Sequence, residues 1–389
     1  MRDAAVILWL LLATCGWGAP RDYLIDTWRF DDDLPRDGII SIAQGADGYL
    51  WVSSRFGLAR FDGMRFANLT DQTAAQFLGY HYAHLAADSS GNVWIGTPGG
   101  GLWQWLESRL RACVTPGNPV FGPPIGALTN AQGAPLALSP DGRVLGWSNG
   151  VAQVIVDAGR WGAPVQTSIC QDKEGSIWFV TYQYKLVRVA GTIAQEMTYG
   201  TGEARRNWIA LQPRAGGELW AGTQLGVGIW RGTTFEPLPG PAEFFPVEGL
   251  FGASAGSVSE APQQPLWVVA LGSAWLWANH RWVTNVAFEP TAGLYQTSPC
   301  LIDREGNLWL TATKGGLVRA GVDGSLLMLT DKDGLPPGRI AALHEDREGS
   351  LWVGIEHAGL ARLRQRDFSP IGTREGIRSP VIRAVIEDP

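Results

Sequence analysis

Acidic residues at a fixed distance from a glycine are the first groups in this chain that could do chemistry. An aspartate stands three residues before the glycine of a Gly-x-x-Trp phrase four times: Asp88 with Gly91, Asp172 with Gly175, Asp303 with Gly306, and Asp346 with Gly349. Two adjacent pairs, Glu345-Asp346 and Glu387-Asp388, could supply an acid and a base. Each pair ends a short apolar run, so the stronger interpretation is a turn in which the aspartate accepts hydrogen bonds from backbone amides.

The other reactive side chains give no site. His81 and His84 are the one close histidine pair, and on a strand this spacing turns them to opposite faces. Such a pair binds a single metal ion poorly, so we predict no metal site. The sequence contains neither a phosphate-binding glycine loop nor a nucleophile elbow. We therefore predict no catalytic residue and no cofactor.

A repeat positions the turn aspartates. A tryptophan recurs about every 42 residues, usually in the phrase Gly-x-x-Trp, and Leu136 fills the one gap. A fixed period of this length indicates one supersecondary unit that is copied many times. The recurring residues are Trp51, Trp94, Trp178, Trp220, Trp267, Trp309 and Trp352.

Each unit reads as four short strands. In the clearest copy, apolar runs at 340–345, 351–355, 360–363 and 368–371 are separated by glycine-containing turns. Four antiparallel strands per repeat predict an all-β protein, a β-propeller built of four-stranded blades. The tryptophan falls on the second strand, where it would pack between adjacent blades as a structural anchor.

The spacing of the turn aspartate weakens a glycosidase interpretation. Sialidase-type propellers carry a box with an aspartate two residues before the glycine of Gly-x-x-Trp. Here the aspartate lies three residues before that glycine, as in Asp303 and Gly306, so the turn is one residue longer. A structural role for these aspartates is the preferred interpretation.

Length and composition bound the architecture. The 389 residues contain 50 glycines and 24 prolines, which suits many turns, and a net charge of −6 gives no footprint for nucleic acid. Seven repeats fill residues 22–330, which predicts about seven blades. An eighth repeat follows within 331–389, and a ninth begins at 377 and is truncated, so an eight-bladed ring or the start of a second propeller are alternatives. The chain reads as the front part of a longer protein or as a truncated gene model.

The first residues are not part of the repeats. A short apolar stretch follows Arg2, and small residues precede position 20, which is typical of a secretory signal peptide over residues 1–19. We therefore expect a periplasmic or secreted protein, with an uncleaved membrane anchor as the alternative.

The repeat resembles that of the two-component regulator propeller family. Repeat 8 carries Asp333-Gly334-Leu335-Pro336, then Gly349-Ser350-Leu351-Trp352-Val353-Gly354, then Gly359-Leu360-Ala361-Arg362, and repeat 1 carries the same pattern from Asp33 to Gly63. The resemblance spans about residues 22 to 389. Repeats 3 and 6 depart from it, because Leu136 replaces the tryptophan and Gln264 replaces the glycine before Trp267.

The resemblance implies a sensor. In that family such repeats form the extracytoplasmic part of membrane-spanning regulators, followed by a membrane helix and an output module such as a histidine kinase. It implies that this chain binds a small-molecule or oligosaccharide ligand, alone or as a homodimer, and that an output module lies in a missing C-terminal part. A secreted propeller enzyme acting on glycans and a protein-interaction platform are the alternatives.

The turns between the second and third strands of each repeat diverge most. Variety among copies suggests a surface that is free to specialise. We therefore predict that one face of the ring binds a polar ligand or partner through Arg55, Tyr184, Gln224, Lys314 and His357. A second prediction concerns ring closure: residues 23–28 correspond to a fourth strand and would complete the last blade, which removes a free sheet edge.

Overall fold

The structure is a computed structural model, and it describes most of the repeated region. The described residues are 23–35, 38–54, 57–69, 84–87, 91–96, 102–106, 109–112, 127–129, 135–138, 143–148, 151–157, 161–162, 164–172, 174–181, 183, 185–197, 208–213, 219–223, 226–231, 234–238, 240, 247–252, 266–270, 273–287, 300–312 and 316–365.

Strands dominate the described residues, which contain eight four-stranded antiparallel sheets. The chain starts with β1 (Tyr23–Trp28). Sheet 1 contains β2 (Ile39–Gln44), β3 (Leu50–Ser54), β4 (Gly57–Phe61) and β5 (Phe66–Asn68); sheet 2 contains β6 (His84–Ala87), β7 (Val93–Gly96), β8 (Leu102–Leu106) and β9 (Arg109–Ala112); sheet 3 contains β10 (Ala127–Thr129), β11 (Pro135–Leu138), β12 (Arg143–Ser148) and β13 (Val151–Asp157); sheet 4 contains β14 (Pro164–Gln171), β15 (Ile177–Thr181), β16 (Leu186–Ala190) and β17 (Ile193–Met197).

The second half of the chain repeats this order. Sheet 5 contains β18 (Trp208–Pro213), β19 (Leu219–Thr223), β20 (Gly226–Arg231) and β21 (Thr234–Pro237); sheet 6 contains β22 (Val247–Gly252), β23 (Leu266–Ala270), β24 (Ser273–Ala278) and β25 (Arg281–Ala287); sheet 7 contains β26 (Cys300–Ile302), β27 (Leu308–Thr311), β28 (Leu317–Ala320) and β29 (Leu326–Leu329); sheet 8 contains β30 (Ile340–Glu345), β31 (Leu351–Ile355), β32 (Gly359–Gln365) and β1. Short 3₁₀ helices lie at Phe30–Asp32 and Asp331–Asp333.

The turn between the first and second strands explains the recurring glycine. Gly349 has a φ of 85°, a left-handed conformation that a residue with a side chain rarely adopts. The equivalent Gly48, Gly91, Gly175 and Gly306 share it, with φ between 77° and 86°. The same glycine conformation therefore recurs between the first and second strands of five of the sheets.

The sheets form a β-propeller in which neighbouring sheets meet along their first strands, as the contacts of seven sheets show. Strand β2 contacts β6 of the next sheet and β30 of the last one, and β18 contacts β14 and β22. Strand β26 contacts both β22 and β30. The fourth strand of each sheet lies at the outer edge.

The seven repeated tryptophans all lie on second strands and are buried, with at most 7% of each residue exposed. Six of them share a core cluster with the following sheet: Trp51 with sheet 2, Trp178 with sheet 5, Trp220 with sheet 6, Trp267 with sheet 7, Trp309 with sheet 8, and Trp352 with sheet 1. Each of these six indoles therefore fills the space between two sheets, where a large aromatic ring removes much apolar surface from water.

Strand β1 completes sheet 8, as the sequence predicted for residues 23–28. It pairs antiparallel with β32, from Tyr23 opposite Gln365 to Trp28 opposite Leu360. Asp26 accepts hydrogen bonds from Arg362 at 2.8 Å and from Arg364 at 3.0 Å. The two ends of the described chain are thus joined in one sheet.

The number of sheets can be compared with the number of repeats. Eight described sheets equal the eight repeats of the sequence, and the blade number of about seven, with eight as an alternative, stays a prediction. The sheet that contains β1 takes its other strands from 340–365, so it draws on both ranges, 22–330 and 331–389, into which the repeats were divided.

Candidate functional site

The turn aspartates hold their own tryptophans. In sheet 8, Asp346 Oδ1 accepts a hydrogen bond from Ser350 N at 2.7 Å, and its Oδ2 accepts one from Trp352 Nε1 at 2.7 Å. Asp346 is buried. Both carboxylate oxygens are used within the fold, which leaves this group unsuited to acid–base catalysis.

The same arrangement recurs in two other sheets. Asp172 accepts hydrogen bonds from Ser176 N and Trp178 Nε1, both at 2.7 Å. Asp303 accepts hydrogen bonds from Asn307 N and Trp309 Nε1, both at 2.8 Å. The predicted bonds from turn amides are confirmed for these three aspartates, whereas Asp88 lies outside the described residues. The bond to the indole was missed, although a constant spacing of six residues between aspartate and tryptophan could have revealed it.

Cross-sheet bonds connect these turns around the ring. The backbone N and Nε of Arg304 donate to Glu345 in the next sheet at 2.8 and 2.7 Å. Arg347 N donates to Gln44 Oε1 at 2.9 Å, and Trp267 Nε1 donates to the carbonyl oxygen of Gly306 at 2.8 Å. This face of the propeller is therefore braced from sheet 6 to sheet 1.

A cleft of about 560 Å³ opens between sheets 7 and 8 on this braced side. Its walls are the turn after β26, the turn after β30, and the paired ends of β1 and β32. It is lined by Tyr23, Leu24, Asp303, Arg304, Glu305, Trp309, Glu345, Glu348, Gly349, Ser350, Leu351, Leu363, Arg364 and Gln365. The closing strand β1 therefore forms part of the cleft wall.

Several charged groups of the cleft are engaged in the fold. Arg304 binds Glu345, and burial raises the pKa of the Glu345 carboxyl although Arg304 opposes that effect. Arg364 binds Asp26, and both oxygens of Asp303 accept hydrogen bonds from the turn and the indole. Arg304, Arg364 and Asp303 are therefore already engaged, and a ligand would have to bind to other polar groups of the cleft.

The one predicted ligand-binding residue that the structure describes, His357, lies on the other side of the propeller. His357 is exposed in the turn between β31 and β32, with a φ of 58°, whereas the cleft begins at Leu351, the opposite end of β31. Arg55, Tyr184, Gln224 and Lys314 lie outside the described residues. The assignment of that face to binding therefore stays a prediction.

Three titratable side chains outside the cleft, His344, Cys170 and Cys300, are buried or half-buried. Burial lowers the pKa of the His344 imidazole, against an opposing effect of Asp346. Burial raises the pKa of the Cys300 thiol to about 12 and that of the Cys170 thiol further, so both thiols stay protonated near neutral pH. Within the described part of the chain, no three His, Cys, Asp or Glu side chains are grouped to hold a metal ion.

Two segments of the chain, residues 161–183 and 334–357, match the two component regulator propeller family. The first segment covers the turn of Asp172 and the second covers the turn of Asp346, so the matches coincide with two of the aspartate–indole units. The resemblance to that family's repeat is thereby confirmed. No curated protein sequence matches the chain.

The chain resembles several solved structures at low sequence identity. The designed protein Ika8 has a TM-score of 0.61 at 13% identity, with 85% of this chain and 97% of that chain covered. A streptogramin B lyase has a TM-score of 0.52 at 13% identity, with 88% and 98% covered. The C-terminal WD40 domain of Sif2 has a TM-score of 0.52 at 11% identity, with 85% and 97% covered. At these identities the likeness supports the fold alone.

Among the residues that the structure describes, no helix has the length and apolar character that a membrane crossing requires.

Proposed function

We propose that this chain is the extracytoplasmic sensor segment of a two-component regulator and that it acts by binding a ligand, not by catalysis. The observation that carries the proposal is the match of two repeats to the two component regulator propeller family. The resemblance of the first residues to a signal peptide supports a location outside the cytoplasm.

The use of the turn carboxylates favours binding over catalysis. A general acid or base needs a carboxyl group that can exchange a proton with substrate. In Asp172, Asp303 and Asp346, both carboxylate oxygens instead accept hydrogen bonds from backbone amides and indoles of their own sheets. A braced ring with these groups engaged is better suited to present a surface than to transfer protons.

The experiment that tests binding is a ligand screen on the purified chain. We expect at least one compound from a library of oligosaccharides, amino acids and amines to raise the melting temperature, because a ligand that binds only the folded state stabilises it. Calorimetry on Arg55→Ala and Lys314→Ala then tests the predicted face. Wild-type affinity in both variants would move the site away from that face, and turnover of a glycan in the screen would favour the enzyme alternative.

Location and assembly need separate experiments. A fusion of residues 1–40 to alkaline phosphatase, which is active only outside the cytoplasm, should give phosphatase activity if the leader directs export. Light scattering on the purified chain should give the mass of a dimer if ligand binding or output uses two copies. A cytoplasmic, inactive fusion would contradict the sensor location.

A further inference from the structure

A serine hydroxyl in the cleft is left without a partner by the way the ring closes. In sheet 4, Arg188 donates to Ser176 Oγ at 3.0 and 3.2 Å. Ser350 and Arg362 occupy the same positions in sheet 8, but there the guanidinium of Arg362 binds Asp26 of the closing strand at 2.8 Å. Among the described residues, nothing hydrogen-bonds to the Ser350 hydroxyl.

This hydroxyl is set deep in the cleft wall. Ser350 is 6% exposed and yet lines the cleft. Although the residue is mostly buried, its Oγ is open to the cleft and makes no hydrogen bond within the described structure. The side chain is therefore poised to accept or donate a hydrogen bond to a molecule that enters the cleft.

The charged groups of the cleft that are not fully paired are carboxylates, and they come from both walls. Its lining contains four carboxylates and two guanidinium groups. Glu305 makes a 3.5 Å contact with Arg319 and accepts a hydrogen bond from Asn307, and Glu348 lies 3.5 Å from Gln44 Nε2. In each carboxylate these contacts use Oε2. Within the described structure, the Oε1 atoms therefore remain available in Glu305 of sheet 7 and in Glu348 of sheet 8.

Part of the cleft lining is apolar. Tyr23 stands edge-on to the buried Trp309, with ring centroids 5.6 Å apart and an angle of 82° between the planes. Leu351 and Leu363 complete the apolar lining. An aromatic or aliphatic group that enters here would lose contact with water on several sides.

We propose that this cleft binds an organic cation, a primary ammonium group carried on a short aromatic or aliphatic body. An ammonium has three donors and no acceptor, which matches the Ser350 oxygen and the free carboxylate oxygens of Glu305 and Glu348. A metal ion is a poorer fit, since the described side chains offer no group of three ligands. An anion is a poorer fit, because Arg304 and Arg364 are already paired with carboxylates.

The proposal rests on the proposed binding function and gives it a ligand class. Because Tyr23 and Leu24 of the closing strand line the cleft, a bound cation would connect sheet 7 to that strand. Binding would therefore favour the closed ring over any state in which β1 has detached from β32.

Calorimetry with three matched probes tests the ligand class. Phenethylamine, 2-phenylethanol and phenylacetate share an aromatic body and differ in the charge of the end group. We expect phenethylamine alone to bind the whole chain, with an affinity that falls as sodium chloride is raised from 50 to 500 mM. Equal affinity for the alcohol or for the acid would overturn the proposal, as would no binding of the amine.

Variants then test the site. Glu305→Gln/Glu348→Gln should weaken phenethylamine binding by about tenfold and Ser350→Ala by about fivefold. Glu236→Gln, which alters an exposed glutamate in sheet 5, should retain wild-type affinity. Wild-type affinity in both cleft variants would place the amine elsewhere and refute the site, and the melting temperature without ligand confirms that each variant is folded.

The outcome can be separated from that of the proposed function. If amines fail and another compound from the screen binds, the cation site is wrong and the binding function stands. If amines bind at the cleft but the alkaline phosphatase fusion stays inactive, the site is right and the extracytoplasmic sensor is wrong.

Discussion

Removal of the Asp346 carboxylate should destabilise the propeller through two buried donors. In Asp346→Ala, Ser350 N and Trp352 Nε1 each lose a 2.7 Å hydrogen bond to a charged acceptor. Such bonds contribute about 1.5–3 kcal/mol each, so the loss is about 3–6 kcal/mol in the free energy of unfolding. An unfolding entropy of about 2.1 cal/mol/K per residue converts this to a fall of about 4–7 °C in the melting temperature.

Circular dichroism during heating measures this fall, and Asp47→Ala is the matched control. Asp47 lies in the equivalent turn of sheet 1, where its exposed carboxylate accepts a hydrogen bond from Tyr49 N at 3.2 Å. We expect the control to melt within about 1 °C of the wild type, as surface substitutions usually do. A folded Asp346→Ala protein that melts with the control would refute the reasoning.

A double-mutant cycle isolates the bond to the indole. Trp352→Phe removes the indole N–H and keeps an aromatic ring, so combining it with Asp346→Ala should give a coupling energy of about 1.5–3 kcal/mol. A coupling energy near zero would mean that the carboxylate acts only on the turn amide.

Four further outcomes are expected from thermal unfolding. Deletion of residues 22–30 should lower the melting temperature severely because it removes β1 from sheet 8, and an unchanged value would contradict closure by this strand. Trp220→Ala should cost about 3–5 kcal/mol, since the residue is 1% exposed; a stable variant that lost only ligand binding would show the packing role to be wrong. Gly45→Asp places a carboxylate six residues before Trp51, whose buried Nε1 has no partner among the described residues. This variant should raise the melting temperature by about 1–2 °C. A lower melting temperature would mean that the side chain of Asp47, which the new Cβ would contact, cannot move aside. Burial lowers the folded pKa of His344 below its ordinary 6.5, so stability relative to His344→Gln should fall as acidification through that range protonates the unfolded imidazole first; parallel pH profiles would exclude this contribution.

The repeated part of the fold could be predicted from the sequence because it depends on local patterns. The period of Trp309 and Trp352, the glycine turns and the short apolar runs predict four strands per unit, and the structure has those strands. Residues 23–28 could be assigned to the closing sheet because they match the fourth strand that precedes Asp333 in the last repeat.

The cleft could not be predicted because its walls are brought together only by ring closure. Tyr23 and Gln365 lie at opposite ends of the described chain and become neighbours through the pairing of β1 with β32. The Ser350 hydroxyl lacks a hydrogen-bond partner because of the same pairing, since Arg362 donates to Asp26 of the closing strand. Divergent turns such as that of His357 direct attention to the other face, because variety among copies is visible in a sequence and long-range pairing is not.

The pairing of β1 with β32 also sets an order for biosynthesis. Asp26 and Arg362 are 336 residues apart, and a ribosome that adds about 5–20 residues per second needs on the order of 20–70 s to make that length. During this interval, β1 has emerged without its partner, and its Tyr, Leu, Ile and Trp side chains are exposed to other chains. The last sheet can be completed only after residue 365 has been made, so a chaperone that shields this first strand would act on the step most exposed to aggregation.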